Sequence, residues 1–195
     1  PLGLMRPAHP QFGLEPSEEA LARVNELVGQ GAEGGPLVVL HPVAKWESKL
    51  WPSKHWAQLA HDLSGLGVRL ALSGSEDDRN VTRAIAHAAG VDILDLAGRM
   101  SLKELTALLQ RADLLVSTDT GVMHLGAAVG CPVVALFGPT AHWRTGPYGQ
   151  GHRVVRLDLD CAPCFKRECE DPRCLGDLGP EKVLDQVRQA IAGLS

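Results

Sequence analysis

Short runs of aliphatic and β-branched residues alternate with longer amphipathic stretches from Leu37 onward. This alternation is typical of parallel strands joined by helices. We predict six strands, at residues 37–40, 68–72, 92–96, 114–117, 132–137 and 152–157. The pattern therefore predicts an α/β fold with a doubly wound, Rossmann-like parallel sheet.

Polar and apolar spacing also marks three helices between and after these strands. Apolar residues after Ser53 recur at i, i+3, i+4 and i+7, which places them on one helix face, and Gly65 ends that helix. The apolar residues are Trp56, Leu59, Ala60 and Leu63. Ser101 and Glu104 have the spacing of a capping box, and Pro180 suits the first position of the last helix.

The segment before the first strand has a different composition. It contains a helical stretch over residues 17–28 and a glycine-rich end, and it begins with Pro1, Pro7, Pro10 and Pro16. We interpret residues 1–36 as a linker from a preceding domain that this chain lacks, and residues 37–195 as the domain itself. A packed N-terminal arm is the alternative.

Composition and charge narrow the class of protein. Hydrophobic residues make up 45% of the chain and charged residues 22%, which is ordinary globular usage. The net charge of -4 provides no basic field, so we do not expect nucleic acid as a partner. The longest apolar run, residues 122–138, is interrupted by His124, Gly130 and Pro132, so we expect no transmembrane segment.

Five cysteines are too few and too clustered for a disulfide scaffold, which favours a reducing cytoplasm. Four of them lie close together in sequence: Cys161, Cys164, Cys169 and Cys174. Four thiolates suit tetrahedral zinc, although this spacing differs from two C-x-x-C knuckles. A structural zinc site is one hypothesis, and free thiols or a conditional disulfide are the alternative.

Candidate chemistry lies in the loops after the strands, where ligands bind in open parallel sheets. After the fourth strand, the N–H groups of Thr120, Gly121 and Val122 would begin a helix and could seat a phosphate. Asp119 would then suit the hydroxyls of a sugar. Alternatively, Asp119 or Thr118 caps the helix and His124 is a core or edge histidine.

Two other charged residues are weaker candidates. Lys49 could reach a phosphate from a neighbouring loop, although most loop lysines are solvated. Glu76 follows Ser73-Gly74 at a strand end, where an acid holds ribose hydroxyls in dinucleotide folds; a favourable charge in a first helical turn is the alternative. The chain contains no P-loop and no Gly-x-Ser-x-Gly elbow.

Six sequence blocks carry a family resemblance that runs from about Val38 to the end of the chain. They are His41-Pro42, Lys49-x-Trp51-Pro52-x3-Trp56, Leu96-Ala97-Gly98-x2-Ser101-Leu102-x-Glu104-Leu105, Ser117-Thr118-Asp119-Thr120-Gly121-x2-His124-Leu125, Ala135-Leu136-Phe137-Gly138-Pro139-Thr140 and Cys161-x-Pro163-Cys164. In this order the blocks resemble the C-terminal domain of ADP-heptose:lipopolysaccharide heptosyltransferases, glycosyltransferase family 9.

The resemblance implies a GT-B architecture, in which two Rossmann-like domains face a cleft and this chain supplies the nucleotide-sugar half. It implies a role for each matching position. Lys49 would contact the donor phosphates, Glu76 the ribose hydroxyls, the Met100 backbone the adenine, Asp119 the heptose, and Thr120 and Gly121 the diphosphate, with His124 close by.

The same resemblance implies inverting transfer of heptose from ADP-heptose to the lipopolysaccharide inner core, with no cofactor required. It places the catalytic base and the site for the lipid-linked acceptor in an N-terminal domain. We therefore expect no catalytic residue in this chain, which would be a fragment of a cytoplasmic protein peripheral to the inner membrane.

Two other functions stay open at this stage. The chain could be a stand-alone nucleotide-sugar-binding module without catalysis, which a second Rossmann domain encoded upstream of Pro1 would argue against. It could also be a GT-B relative such as a nucleotide-sugar epimerase, which would need catalytic acids and bases that the sequence does not identify.

Overall fold

A computed structural model describes residues 12–29 and 34–193. Its six strands form one parallel sheet in the order β3-β2-β1-β4-β5-β6. The strands are β1 Leu37–His41, β2 Arg69–Leu72, β3 Leu94–Asp95, β4 Leu114–Thr118, β5 Val133–Phe137 and β6 Arg153–Arg156. The predicted α/β fold and all six predicted strands are confirmed.

The third strand is shorter than predicted because its own aspartate turns the chain. Asp95 accepts hydrogen bonds from the Thr82 hydroxyl and from the N–H of Ala97, both at 3.1 Å. The strand also lies at the edge of the sheet, where β2 is its one partner among the described strands.

Eight helices accompany the sheet in the described part of the chain. They are α1 Glu18–Val28, α2 Ser53–Ser64, α3 Arg79–Ala89, α4 Leu102–Arg111, α5 Gly121–Ala128, α6 His142–Thr145, α7 Arg173–Gly176 and α8 Pro180–Ala192. Two 3₁₀ turns lie at Glu47–Lys49 and Glu76–Asp78. The predicted capping box at Ser101 and Glu104 and the predicted start at Pro180 are confirmed. Over the same residues, none of the helices has the length and apolar character needed to cross a membrane.

Alternation along the strands divides the core into two layers. In β1, Val38 and Leu40 face the layer that holds α2, α3 and α8, whereas Leu37 and Val39 face the layer that holds α1, α4 and α5. Successive side chains of a strand point to opposite faces, so a strand buried on both faces is apolar throughout. This accounts for the unbroken apolar run in β1.

An aromatic pair fixes the path of the chain after β1. Trp51 and Trp56 are both buried, and their rings meet edge to face with centroids 5.0 Å apart. The indole Nε1–H of Trp51 donates to the carbonyl of Leu178 at 2.8 Å. These contacts tie the start of α2 to the segment before α8, which holds the loop between β1 and α2 in place.

Helix α1 packs on the domain, where Ala20 and Val24 are buried in the second layer. Asn25 pairs with Arg111 at the end of α4, and Arg69 donates to the Val28 carbonyl at 3.0 Å. Residues 1–11 and 30–33 of the predicted linker lie outside the described residues. The connection of residues 1–36 to a preceding domain stays a prediction.

The sheet order places a crevice between β1 and β4. These strands are neighbours, yet α2 follows β1 on one face of the sheet and α5 follows β4 on the other. Because the two connections diverge there, the carboxyl ends of β1 and β4 border an open crevice, which is where ligands bind in folds of this kind.

Candidate functional site

Two cavities open at the carboxyl ends of β1 and β4. The larger, of about 900 Å³, extends from β1 to the loops after β2 and β3. The smaller, of about 500 Å³, lies between the loops after β1, β4 and β5. Three residues line both cavities: Lys45, Thr120 and Gly121. The cavities therefore meet at the start of α5.

Helix α5 begins with its first turn open to this junction. Thr120 is the N-cap residue and its side chain makes no cap hydrogen bond, the Thr118 hydroxyl has no partner among the described residues, and Asp119 is engaged by Lys49 and Thr140 instead. The alternative in which Asp119 or Thr118 caps the helix is therefore wrong. A Cβ atom at Gly126 would lie only 2.7 Å from a Leu115 methyl, so the absence of a side chain there lets α5 lie close against β4.

Asp119 is buried and is held by donors from two other loops. Its Oδ2 atom lies 2.8 Å from Nζ of Lys49 and accepts a 2.6 Å hydrogen bond from the Thr140 hydroxyl. The Thr145 hydroxyl approaches the same oxygen at 3.4 Å. All three contacts involve Oδ2, and Asp119 lines the smaller cavity. The second carboxylate oxygen, Oδ1, takes no part in these three contacts.

Lys49 reaches the site from the loop after β1, where its ammonium is paired with Asp119. Besides Asp119, it lies over the ring of Trp46, 4.4 Å from the centroid. The neighbouring Ser48 is bound to the loop after β6. Its N–H donates to the Arg167 carbonyl at 3.1 Å, and its hydroxyl donates to the Lys166 carbonyl at 2.7 Å. These bonds hold the 3₁₀ turn that carries Lys49.

His124 is exposed and lines the smaller cavity, which excludes a core histidine but not the edge histidine of the same alternative. His41, at the end of β1, is the buried histidine of the site. Its Nδ1 atom lies 3.0 Å from the Ser73 hydroxyl. Burial lowers the pKa of His41 to about 4, although the negative charge of Asp78 opposes that shift. His41 is therefore a neutral wall of the larger cavity near pH 7.

The larger cavity has an acidic side and an apolar side. Asp77 and Asp78 line the acidic side. Asp78 is engaged in a capping box, where it accepts from both the N–H and the hydroxyl of Ser75. Asp77 is exposed and takes no part in that box. The apolar side is formed by Met100, Leu102, Leu105, Val122 and Leu125.

Glu76 does not line the larger cavity, although the sequence singled it out. Its Oε1 atom forms an exposed ion pair with Arg79 at 2.6 Å. Its carboxylate also lies directly against Gly98, where any side chain would collide with it. Gly98 has a φ of 66° and turns the chain toward Met100, which lines the larger cavity.

Several lining residues were missed by the sequence analysis. They are Lys45, Asp77, Thr140, Arg144, Thr145 and Phe165. Lys45 and Thr140 lie in strand-end loops, which was the available signal. Which side chains of those loops face the crevice depends on loop conformation, and no local pattern encodes it.

The structure does not bring the four clustered cysteines together as a zinc site. Within residues 12–29 and 34–193, no group of three or more His, Cys, Asp or Glu side chains is placed to hold a metal ion. Cys161, Cys164 and Cys169 are exposed. Cys174 instead packs against Gly138, and burial raises the pKa of its thiol. All four are free thiols in this structure, and a conditional disulfide among them stays a prediction.

A family model and several known proteins match the sequence of this chain. The family model described as Glycosyltransferase family 9 (heptosyltransferase) matches residues 5–174. The curated Lipopolysaccharide heptosyltransferase 1 of Pseudomonas aeruginosa is 33% identical over 180 residues, which cover 83% of this chain and 50% of that protein. The chain thus spans about half the length of the curated relatives it matches.

Two solved structures from E. coli share the fold. ADP-heptose lps heptosyltransferase II superposes with a TM-score of 0.79 at 27% identity, covering 98% of this chain and 56% of that chain. Heptosyltransferase WaaC with ADP gives a TM-score of 0.69 at 25% identity, covering 97% of this chain and 52% of that chain.

Proposed function

Because the chain belongs to glycosyltransferase family 9, we propose that it is the donor-binding domain of a heptosyltransferase that moves heptose from ADP-heptose to the lipopolysaccharide inner core. The observation that carries this proposal is the pair of cavities that meet at the start of α5. The larger cavity, the junction at α5 and the smaller cavity follow one another in the same order as the nucleoside, the diphosphate and the sugar of a nucleotide sugar. The solved relative with ADP supports adenine as the base.

The nucleoside occupies the larger cavity. The adenine packs on the apolar side formed around Met100 and Leu105, and backbone groups at Met100 meet its polar edge. The ribose hydroxyls need an acceptor on the opposite side. Asp77, which lines the cavity, is one candidate, and Glu76 is the other once its exposed ion pair with Arg79 opens.

The diphosphate lies at the junction of the cavities. The first N–H groups of α5, from Thr120 and Gly121 onward, point positive dipole ends toward that position. Negative charge grows on ADP as it leaves, so dipoles already oriented there stabilise the transition state more than the ground state. This is the contribution of the domain to catalysis.

The heptose occupies the smaller cavity, where Asp119 accepts hydrogen bonds from its hydroxyls through Oδ1. Lys49 and Thr140 hold the carboxylate in its orientation through Oδ2. His124 lines the same cavity and contacts the sugar from the α5 side.

Transfer is inverting: the acceptor oxygen attacks the anomeric carbon from the face opposite ADP, and the bond from that carbon to the diphosphate breaks. The general base and the site for the lipid-linked acceptor belong to a second, N-terminal domain of the whole protein. We assign no catalytic residue and no cofactor to this chain. The whole enzyme acts in the cytoplasm, peripheral to the inner membrane.

A thermal-shift panel tests the donor site. A ligand that binds only the folded state stabilises it by about 2.7 kcal/mol at 100 times its Kd. We expect ADP-heptose and ADP to raise Tm more than NAD or UDP-sugars do. Equal responses across the panel, or none, would contradict the proposal.

A substitution at Asp119 distinguishes binding of the sugar from binding of the nucleotide. Asp119→Asn keeps the shape of the side chain but removes the charge, so we expect ADP to bind as before and the added affinity of ADP-heptose to be lost. Asp185→Asn, an exposed position on α8, is the matched control. An Asp119→Asn protein that still prefers ADP-heptose to ADP would contradict the assignment of the sugar cavity.

A further inference from the structure

We propose that Lys45 is the side chain that holds the diphosphate of the bound nucleotide sugar, whereas Lys49 is a positioning residue that holds Asp119. The inference rests on the proposed function, since it divides roles within that donor site. It differs from the expectation drawn from the sequence, which gave the phosphates to Lys49.

Lys45 has the position that a diphosphate contact requires. It is the only lysine among the described residues that lines both cavities, and it does so together with Thr120 and Gly121. A ligand that extends from one cavity into the other therefore passes between Lys45 and the start of α5. The linking group of a nucleotide sugar, its diphosphate, lies at that point.

The charge of Lys45 is unpaired in the described structure. Its side chain is exposed, and it makes no hydrogen bond or ion pair with the described residues. It stands beside the positive end of α5, so two positive features meet at the junction. An anion between them removes this repulsion and gains both attractions, which favours a dianionic linker there over a neutral one.

Lys49 is committed elsewhere. The Lys49 and Asp119 side chains are 15% and 6% exposed, and their ion pair is 2.8 Å long. Moving the ammonium to a phosphate would leave the buried Asp119 carboxylate without its cation, which is strongly unfavourable. Lys49 also lines the smaller cavity but not the larger one. Its removal should therefore disturb sugar binding through Asp119 more than nucleotide binding.

The test compares Lys45→Met and Lys49→Met with the wild-type chain in titrations with adenosine, ADP and ADP-heptose, followed by NMR chemical shifts. Lys182→Met, an exposed position on α8, is the matched control. A charge-assisted hydrogen bond to phosphate corresponds to about tenfold or more in affinity, so we expect Lys45→Met to lose that factor for ADP and almost none for adenosine.

For Lys49→Met we expect ADP affinity within about threefold of wild type and loss of most of the extra affinity conferred by the heptose. Salt should weaken ADP binding less in Lys45→Met than in wild type, because Lys45 is exposed and its attraction is screened. If Lys49→Met unfolds, Lys49→Arg keeps a cation for Asp119 and should bind both ligands as wild type does.

The possible outcomes distinguish a failure of this inference from a failure of the proposed function. Wild-type affinity of Lys45→Met for ADP, or a loss of ADP binding in Lys49→Met as large as in Lys45→Met, would overturn the inference alone. A wild-type chain that does not bind ADP at all would overturn the proposed donor site and this inference with it.

Discussion

At the scale of single residues, Asp119 shows how a buried charge is kept in place without capping a helix. Its partners Lys49 and Thr140 come from the loops after β1 and β5, while Asp119 itself follows β4. A buried carboxylate needs a cation and hydrogen-bond donors, because these replace the contacts with water that it loses on burial. Three neighbouring strand ends meet this need together.

His41 gives a pH dependence at the same scale. Burial lowers its pKa from 6.5 to about 4. Between these two pH values the His41 imidazole is therefore protonated in the unfolded chain and neutral in the folded chain. The free energy of unfolding should therefore fall as pH decreases through this window, by roughly 3 kcal/mol in total from His41. Above pH 6.5 His41 is neutral in both the folded and the unfolded chain, so it no longer changes the free energy of unfolding with pH.

Urea unfolding from about pH 7.5 to about pH 4.5 measures this effect. His41→Gln should show a smaller decrease in unfolding free energy over this range than wild type. His55 and His152, whose pKa values burial also lowers, remain in both proteins and cancel in the comparison. The exposed His87→Gln serves as control. Identical pH profiles for His41→Gln and wild type would contradict the prediction.

At the scale of elements, the loop between β6 and α7, residues 157–172, ties two strand-end loops together. Its Cys164 and Phe165 N–H groups donate to the Pro139 carbonyl at 3.0 and 2.8 Å, after β5. Its Lys166 and Arg167 carbonyls accept from Ser48, after β1. The loop therefore holds the two segments that present Thr140 and Lys49 to Asp119.

Ser48→Ala tests this connection. Ser48 is 3% exposed, and its removal leaves the Lys166 carbonyl without the hydroxyl donor, so we expect a loss of about 1 kcal/mol in unfolding free energy. Amide exchange should also accelerate locally, in residues 46–50 and 164–167. Ser64→Ala removes an exposed hydroxyl that donates to the His61 carbonyl at 2.7 Å and should change little. Equal effects of the two substitutions would argue against the connection.

At the scale of the whole molecule, one sheet couples two core layers. Each of the long strands contributes side chains to both layers, so neither layer is complete without the sheet. Helix α1 belongs to one layer, and the buried Trp51 and Trp56 belong to the other. The domain should therefore unfold in one cooperative transition that includes α1.

Val24→Ala tests this coupling from the side remote from the tryptophans. Val24 is fully buried, so the substitution should cost about 2 kcal/mol, whereas Val81→Ala, at a 39% exposed position, should cost under about 0.5 kcal/mol. Tryptophan fluorescence and far-ultraviolet ellipticity should shift to the same denaturant midpoint. A separate early transition in ellipticity alone would show that α1 unfolds independently.

Local patterns in the sequence determined the elements of this protein. Apolar runs specified all six strands. The capping box at Ser101 specified the start of α4, and Pro180 specified the start of α8. They also directed attention to the loops after β1 and β4. These signals are short in range, because side-chain alternation and capping involve residues within a few positions of one another.

Only the tertiary structure decided which side chains of those loops share a site. It paired Lys49 with Asp119, set Lys45 at the junction of two cavities, and left Glu76 with Arg79 outside the larger one. It also left the clustered cysteines apart from any metal-binding arrangement within the described residues. Such contacts depend on the order of strands in the sheet and on loop conformation, so they join residues far apart in the chain.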